Sequence, residues 1–446
     1  MPQTEMTKAR LVPVYLSEAP DSDFAQQLDH LRRLLADEAD ILEPQALGAP
    51  PSEADAVVFP QLLGAAYRQV DRIKALDLPL LVITSEFGTV SMWDWEIRRY
   101  LAREGVETIA PTNLQQTKTV CRALAVRRDL RQTKFVVFQD NPGAGFQASI
   151  FKRFYWWEGE CAQRMTNKFG ITIEKRSFKE LGARAKEIPD SEAKAVWSDW
   201  ESRLTVAPMP WRSLSSALKL YIALKRELEQ DPHIQGMGVN CLNESHFSDA
   251  TPCLAWSMLY EERGLIWGCE ADTVSMLTKY ILHKSLDVPV MMTNLYPFLM
   301  GQAALKHERI PAFPEVEDPE NHILAAHSGY FGLLPTSFST TWTLRPKVLA
   351  IVDDNATAID ARLPTGKLTM AKLDPTFDTL TAVEGELQGY VQYENSDCLN
   401  GGVIRVPDGR KLVDHLASHH AILMTGHNLD TITQLAKIFD LRVETL

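Results

Sequence analysis

The stretch GMGVNCLNESHFSDATPCLAWSMLYEERGLIWGCEADTVSMLTKYILHKSLDVPVMMTN, residues 236–294, decides the fold class. GMGVNC reads as a strand, CLAWSMLYEE as a helix, GLIWGCE as a strand, TVSMLTKYILHK as a helix and VPVMMTN as a strand. Short apolar runs suit strands, and the longer segments between them have the length of helices. Strands alternating with helices in this way predict a parallel, doubly wound sheet.

The same grammar holds toward the N-terminus. ARLVPVYL reads as a strand, and FAQQLDHLRRLL places Phe24, Leu28, Leu31 and Leu35 on one helical face. AVVFPQ, PLLVITS, VETIAP and KFVVFQD continue the series of short strands. Beyond residue 336 the texture changes to WTLRPKVLAIVDD, GKLTMAKL, DTLTAVEGEL and GGVIRVP, strand-type runs divided by Gly and Pro. The expected architecture is therefore α/β. Two doubly wound parallel-sheet α/β domains cover residues 1–170 and 171–335, followed by a small, mostly antiparallel β domain with C-terminal helices over 336–446.

Composition narrows the function. A chain of 446 residues, 45% hydrophobic and 23% charged, is long enough for two or three domains, each with its own core. The formal charge of −12 and the pI near 5.5 repel phosphates at long range, which argues against nucleic acid or an anionic membrane as the main partner. A small-molecule ligand is the expected partner. The start MPQTEMTKAR lacks the basic-then-apolar pattern of a signal peptide, and no run of about 18 apolar residues predicts a membrane span, so a cytoplasmic location is expected. Cysteines 121, 161, 241, 253, 269 and 398 form no C-x-x-C pair, which fits reduced thiols rather than a disulfide frame or thiolate zinc site.

Ten of the eleven histidines follow residue 232, and SHHAILMTGHN, residues 418–428, holds three of them. Imidazole combined with carboxylate oxygen suits divalent Mn, Co, Fe or Zn. The same residues also have a plainer reading. Glu270 and Asp272 are suited to the first turn of a helix, where an acid favours the dipole. His327 is suited to a buried bond with a carbonyl, and His419, His420 and His427 to the cationic end of a helix running through KLVDHLASHH. NPGAGF lacks a full G-x-G-x-x-G fingerprint and reads as a turn. Trp93, Trp95 and Tyr155 to Trp157 read as core or subunit contacts before sugar platforms.

One resemblance orders these residues. GVNCLNESHFSDATPCLAWSMLYEERGLIWGCEADTVSMLTKYIL resembles the central segment of the L-fucose isomerase and L-arabinose isomerase superfamily, where a Cys-Glu-x-Asp element ends a strand and opens a helix. ILAAHSGYFGLLP is similar to that family's strand carrying a His, GKLTMAKLDPTFDTLTAVEGEL to its C-terminal Thr-hydrophobic-x-x-Leu segment, and SHHAILMTGHNLDTITQLAKIFDLRVE to its His-His ending before the last helix. NPGAGFQASIFKRFYWWEGECAQRMTNKFGITIEKRSFKEL is similar in layout to the stretch leading out of the first domain, so the resemblance covers roughly residues 135–446.

The resemblance implies a divalent-metal-dependent aldose–ketose isomerase of carbohydrate metabolism, an intramolecular oxidoreductase that forms a homo-oligomer, trimeric or hexameric. It implies Mn2+ as the cofactor, with Glu270 and His420 as metal ligands, Glu270 also shuttling the proton, and His327 at the site in contact with substrate. Asn294, whose amide oxygen can coordinate a metal, is counted with them as a metal ligand and substrate contact. His419 would support His420 or face solvent. Moving hydrogen between C1 and C2 requires a cation to polarise the oxygens and a carboxylate to carry a proton.

The chain departs from the family at one position. The family carries a second acid on the strand after this helix, and here VPVMMTNLYP offers only Thr293 and Asn294. An amide oxygen binds a metal but adds no charge and is no base near neutral pH. Asp272 is the nearest replacement in sequence, counted here as a second catalytic residue, with Asp249, Asp353 and Asp354 as others. A non-catalytic sugar-binding or regulatory protein is the alternative. If the acid alone is missing, Asn294→Asp raises isomerase turnover in the presence of Mn2+; unchanged or lower turnover means that another residue already fills the role.

Overall fold

Five short strands build the first sheet: β1 (Ala9–Tyr15), β2 (Ala39–Ile41), β3 (Gln45–Ala46), β4 (Ala56–Phe59) and β5 (Leu80–Val82). All pair in parallel, in the order β2-β1-β4-β5 with β3 beside β1. The structure is a computed structural model that describes residues 7–48, 50, 53–61, 63–142, 158–305, 315–393, 396 and 400–446. Helix α1 (Ser22–Leu34) starts where the Asp21 carboxylate accepts the Phe24 N–H at 2.8 Å, and it buries Phe24, Leu28 and Leu31 as the spacing predicts. VETIAP yields one parallel bridge, Ile109 to Leu81, instead of a full strand. Helices α2 (Val70–Lys74), α3 (Asp94–Arg103) and α4 (Leu114–Asp129) complete this part.

The second sheet is also parallel. It consists of β6 (Lys134–Phe138), β7 (Thr172–Arg176), β8 (Ile234–Val239) and β9 (Ile266–Cys269), in the order β7-β6-β8-β9. KFVVF, grouped by sequence with the first unit, forms β6 at the interior of this sheet. The connecting helices are α5 (Gly159–Phe169), α6 (Phe178–Glu187), α7 (Asp190–Trp200), α8 (Trp211–Gln230), α9 (Cys241–Glu244), α10 (Cys253–Arg263) and α11 (Thr273–Leu286). Helix α11 lies close against the strands, and a Cβ on Gly268 would sit 2.5 Å from Met276 Sδ. Glycine leaves room there for the Met276 side chain, which a Cβ would displace.

The remaining strands are β10 (Val290–Pro297), β11 (His322–Ala326), β12 (Thr341–Pro346), β13 (Thr357–Arg362), β14 (Gly366–Leu373), β15 (Thr379–Val391), β16 (Gly401–Arg405), β17 (His420–Thr425) and β18 (Arg442–Thr445), with helices α12 (Gly409–His415) and α13 (Leu429–Ile438). The third sheet runs β14-β17-β10-β11-β16-β15-β18, and the extra pairing of β14 with β15 closes six of its seven strands on themselves. Every pairing within that ring is antiparallel; β18 adds to β15 in parallel.

The antiparallel part therefore begins well before residue 336. VPVMMTN, expected as a strand of the second parallel unit, is β10, whose neighbours β11 and β17 both run against it. An apolar run looks alike in either polarity, and its partners decide. WTLRP, expected within the antiparallel domain, pairs with β13 in a separate two-stranded ribbon. KLVDHLASHH is helical only to His415, and His420 opens β17.

One apolar core runs through all three sheets, and a second lies against the first sheet. Trp93 and Trp95 are 71% and 57% exposed, so they are not core residues. Tyr155 to Trp157, residues 143–146 of NPGAGF and Cys398 lie outside the described residues. Among the described residues, no helix is long and apolar enough to cross a membrane.

His283 in α11 shows how the core responds to acid. Its Nδ1 meets the Val288 carbonyl at 2.8 Å, its Nε2 meets the Tyr260 hydroxyl at 2.9 Å, and the ring packs against Phe338. Burial pushes its pKa from 6.5 down to about 4. The unfolded chain therefore binds the proton first, so this contribution to stability is complete above pH 6.5 and is lost as pH falls to about 4. Urea denaturation across that window will show His283→Gln losing less stability on acidification than the wild type, by on the order of 3 kcal/mol. Equal acid sensitivity would contradict a neutral, buried His283.

Candidate functional site

The turn between β9 and α11 sets the site. Glu270 and Ala271 both take left-handed backbone conformations, with φ of 55° and 57°. Such conformations cost non-glycine residues about 1–2 kcal/mol each. The turn is held by the Ala271 N–H on the Val239 carbonyl and the Asp272 N–H on the Cys269 carbonyl, each at 3.0 Å. It releases the chain from the carboxyl end of a parallel strand, the usual place for ligands in α/β sheets, with the Glu270 carboxylate slightly exposed.

Two residues later Asp272 caps α11. Its Oδ1 accepts the Ser275 N–H at 2.8 Å. Its Oδ2 accepts three donors: Ser275 Oγ at 2.6 Å, His420 Nδ1 at 2.8 Å and Lys372 Nζ at 3.0 Å. The carboxylate is fully buried. Burial alone would raise its pKa, but Lys372, His420 and Ser275 outweigh it and hold the group far below the carboxylate range.

The barrel strands bring the other residues to the same level. Asn294 on β10 pairs in register with His420 on β17 and, on its other side, with Ala326 on β11. His327 follows directly and opens a tight turn, in which its N–H meets the Tyr330 carbonyl at 2.6 Å while Ser328 and Gly329 take φ of 57° and 89°. The His327 Nδ1 lies 3.3 Å from the Asn294 amide oxygen. The His327 and His420 rings stand nearly perpendicular, 6.2 Å apart, and the exposed His419 ring lies 4.3 Å from that of His420.

Because Nδ1 of His420 faces Asp272, its Nε2 faces Glu270, 3.7 Å from Oε1. Burial opposes a charged imidazole, yet the two carboxylates raise the His420 pKa above the ordinary value. Burial likewise opposes a charged Glu270, but the contact with His420 and the nearby histidines bring it down to about 2. His327 has lost more to burial than it gains from Glu270, and its pKa falls to about 4.

The structure thus gathers Glu270, Asp272, Asn294, His327 and His420 from four separate segments. The other candidate acids lie elsewhere. Asp249 pairs with Lys186 at 2.7 Å, Asp353 accepts the Asn355 N–H, and Asp354 pairs with Lys347 on the surface. His427 reaches the Gly385 carbonyl beyond the far end of β17. Lys372 is the member that sequence reading missed. Its signal was a lysine inside GKLTMAKL, where residues 368–373 are all buried and a lysine requires a buried partner.

Among the described residues, no three His, Cys, Asp or Glu side chains converge as a ready-made metal site. The available donors are one carboxylate, one imidazole and the Asn294 amide oxygen, a mixture suited to divalent ions but short of the charge of a two-carboxylate site. The 3.7 Å gap between Glu270 and His420 is one that two metal–ligand bonds of about 2.0–2.2 Å can bridge. No protein-family model matches the chain, and no curated protein matches it.

The buried ion pair predicts an asymmetry in stability. Asp272→Ala leaves Lys372 charged, buried and without its carboxylate and should cost about 3–5 kcal/mol in urea denaturation. Glu270→Gln removes only the looser 3.7 Å contact with His420 and leaves the α11 cap and the Lys372 pair intact, so it should cost clearly less, about 1 kcal/mol. The opposite ranking would show that the pair does not form.

Proposed function

We propose that this chain is a divalent-metal-dependent aldose–ketose isomerase of carbohydrate metabolism, on the pattern of the fucose and arabinose isomerases that residues 135–446 resemble. The observation that carries the reading is the convergence of Glu270 and His420 at 3.7 Å, with Asn294 and His327 in the same layer. On this reading the two parallel sheets are doubly wound domains and the barrel a smaller third one, acting in the cytoplasm as a homo-oligomer, trimeric or hexameric.

Glu270, His420 and Asn294 hold the ion, Mn2+ by preference. When bound, the ion polarises the carbonyl and hydroxyl oxygens of an open-chain sugar. Glu270 is ionised at neutral pH and carries the proton between C1 and C2 through an enediol. His327 is neutral there and bonds a sugar hydroxyl, with its orientation shared with Asn294. Asp272 accepts three donors on one oxygen and is fully buried, so it serves His420 instead of the substrate.

One observation favours a second reading. Asn294 occupies the position of the family's second acid, and an amide cannot serve as a general base near neutral pH. A non-catalytic sugar-binding or regulatory protein would keep the fold with that substitution.

Exchange of the C2 hydrogen of aldoses with solvent deuterium, in the presence of Mn2+, separates the two. The enzyme predicts exchange that Glu270→Gln abolishes, whereas sugar binding without exchange across a broad panel supports the second reading. Titration of the stripped protein should find about one Mn2+ per chain, with His420→Ala weakening binding far more than His419→Ala. Equal losses would remove His420 from the ligand set.

A further inference from the structure

Strand β14 carries a lysine in an otherwise apolar stretch of the barrel wall. Lys372 is 1% exposed, and its ammonium donates to Asp272 Oδ2 at 3.0 Å and to Ser275 Oγ. Burying an ammonium costs several kcal/mol even after relaxation, so it needs a compensating partner. Capping α11 does not require it. Any Ser, Thr, Asn or Asp at this position accepts the Ser275 N–H, and none of them needs a buried cation.

The position of the ammonium is more specific than a cap demands. It meets the same oxygen, Asp272 Oδ2, that accepts His420 Nδ1, while Oδ1 is left to the helix. The second buried lysine nearby, Lys279, is not equivalent, because its ammonium donates to the Trp267 carbonyl and lies 4.0 Å from the centre of the Trp267 ring. Lys372, Asp272 and His420 therefore form one continuous chain from the barrel wall to the face where Glu270 stands, joining positions 100 and 148 residues apart.

We propose that Lys372 is a positioning residue: it holds the Asp272 carboxylate where Oδ2 receives His420 Nδ1, which fixes the imidazole plane so that Nε2 faces Glu270. The orientation claim stands on the contacts alone, and its consequence for metal affinity rests on the function proposed above. Groups that orient metal-binding histidines are typically worth 10–100-fold in affinity.

The test compares full-length wild type with Lys372→Met and with the charge-free double variant Asp272→Asn/Lys372→Met. The double variant leaves no unpaired buried charge. Because it also replaces the carboxylate that holds His420, it is read against Asp272→Asn alone, and a ring that moves no further than in that variant counts against Lys372. Crystal structures of the metal-free proteins read the His420 ring orientation, and titration with Mn2+ alone reads affinity. The proposal expects a rotated or displaced His420 ring in a variant whose melting temperature is close to that of the wild type, with Mn2+ bound about 10–100-fold more weakly. A His420 ring that keeps its place in the variants overturns it, and a displaced ring with Mn2+ affinity within about threefold of wild type overturns its consequence for metal binding. If the wild type itself binds no Mn2+, the metal reading fails separately, and the ring orientation in the variants still decides the role of Lys372.

Discussion

The carboxylate of Asp272 joins the two architectures of this chain. It belongs to the first turn after a parallel strand, yet two of its donors, Lys372 and His420, come from strands of the antiparallel barrel. A charged carboxylate in a fully buried position is tolerated only when donors surround it, and here four hydrogen bonds do so. The contact demands a particular seating of barrel on sheet, because displacing either would strand an ammonium and a carboxylate in apolar surroundings.

Around that contact the backbone is under local strain that the packing over-determines. Two successive left-handed residues, Glu270 and Ala271, are held by backbone bonds to β8 and β9 and by the cap of α11. Gly268 makes room for the Met276 side chain of that helix against the strand. Strain concentrated at one turn, and paired with a carboxylate whose pKa is strongly displaced, is the pattern that functional sites adopt. The barrel contributes the complementary half, since its antiparallel register aligns Asn294 with His420 and brings His327 alongside.

The asymmetry of this layer has a chemical meaning. It places one ionised carboxylate, one imidazole whose far nitrogen is tied to a buried acid, one amide and one neutral imidazole around a common face. Polarising an oxygen and moving one proton lie within the reach of such a set when a cation joins it. On the function proposed above, the choice between isomerase and binding protein turns on the amide at 294, because it supplies an oxygen without charge or basicity.

Local features were legible in the residue order. The alternation of short apolar runs with helical segments identified the two parallel sheets, and the face made by Phe24, Leu28 and Leu31 identified α1. The order Glu270-x-Asp272 marked the opening of a helix, but both acids read as first-turn residues, whereas Asp272 is the N-cap and Glu270 precedes the helix. Pairing partners were not legible. Whether VPVMMTN runs parallel or antiparallel, whether VETIAP completes a strand, and whether His420 ends a helix or begins a strand all depend on segments far along the chain. Lys372 shows the limit most plainly. Its burial was a local anomaly in GKLTMAKL, but its partner lies 100 residues earlier, and only the folded chain brings the two charges into contact. Sequence alone thus determined most of the elements and the chemical inventory, because periodicity acts over a few residues. Tertiary structure decided strand polarity, barrel closure and the orientation of His420, because each is set by pairing between residues that the chain order keeps apart.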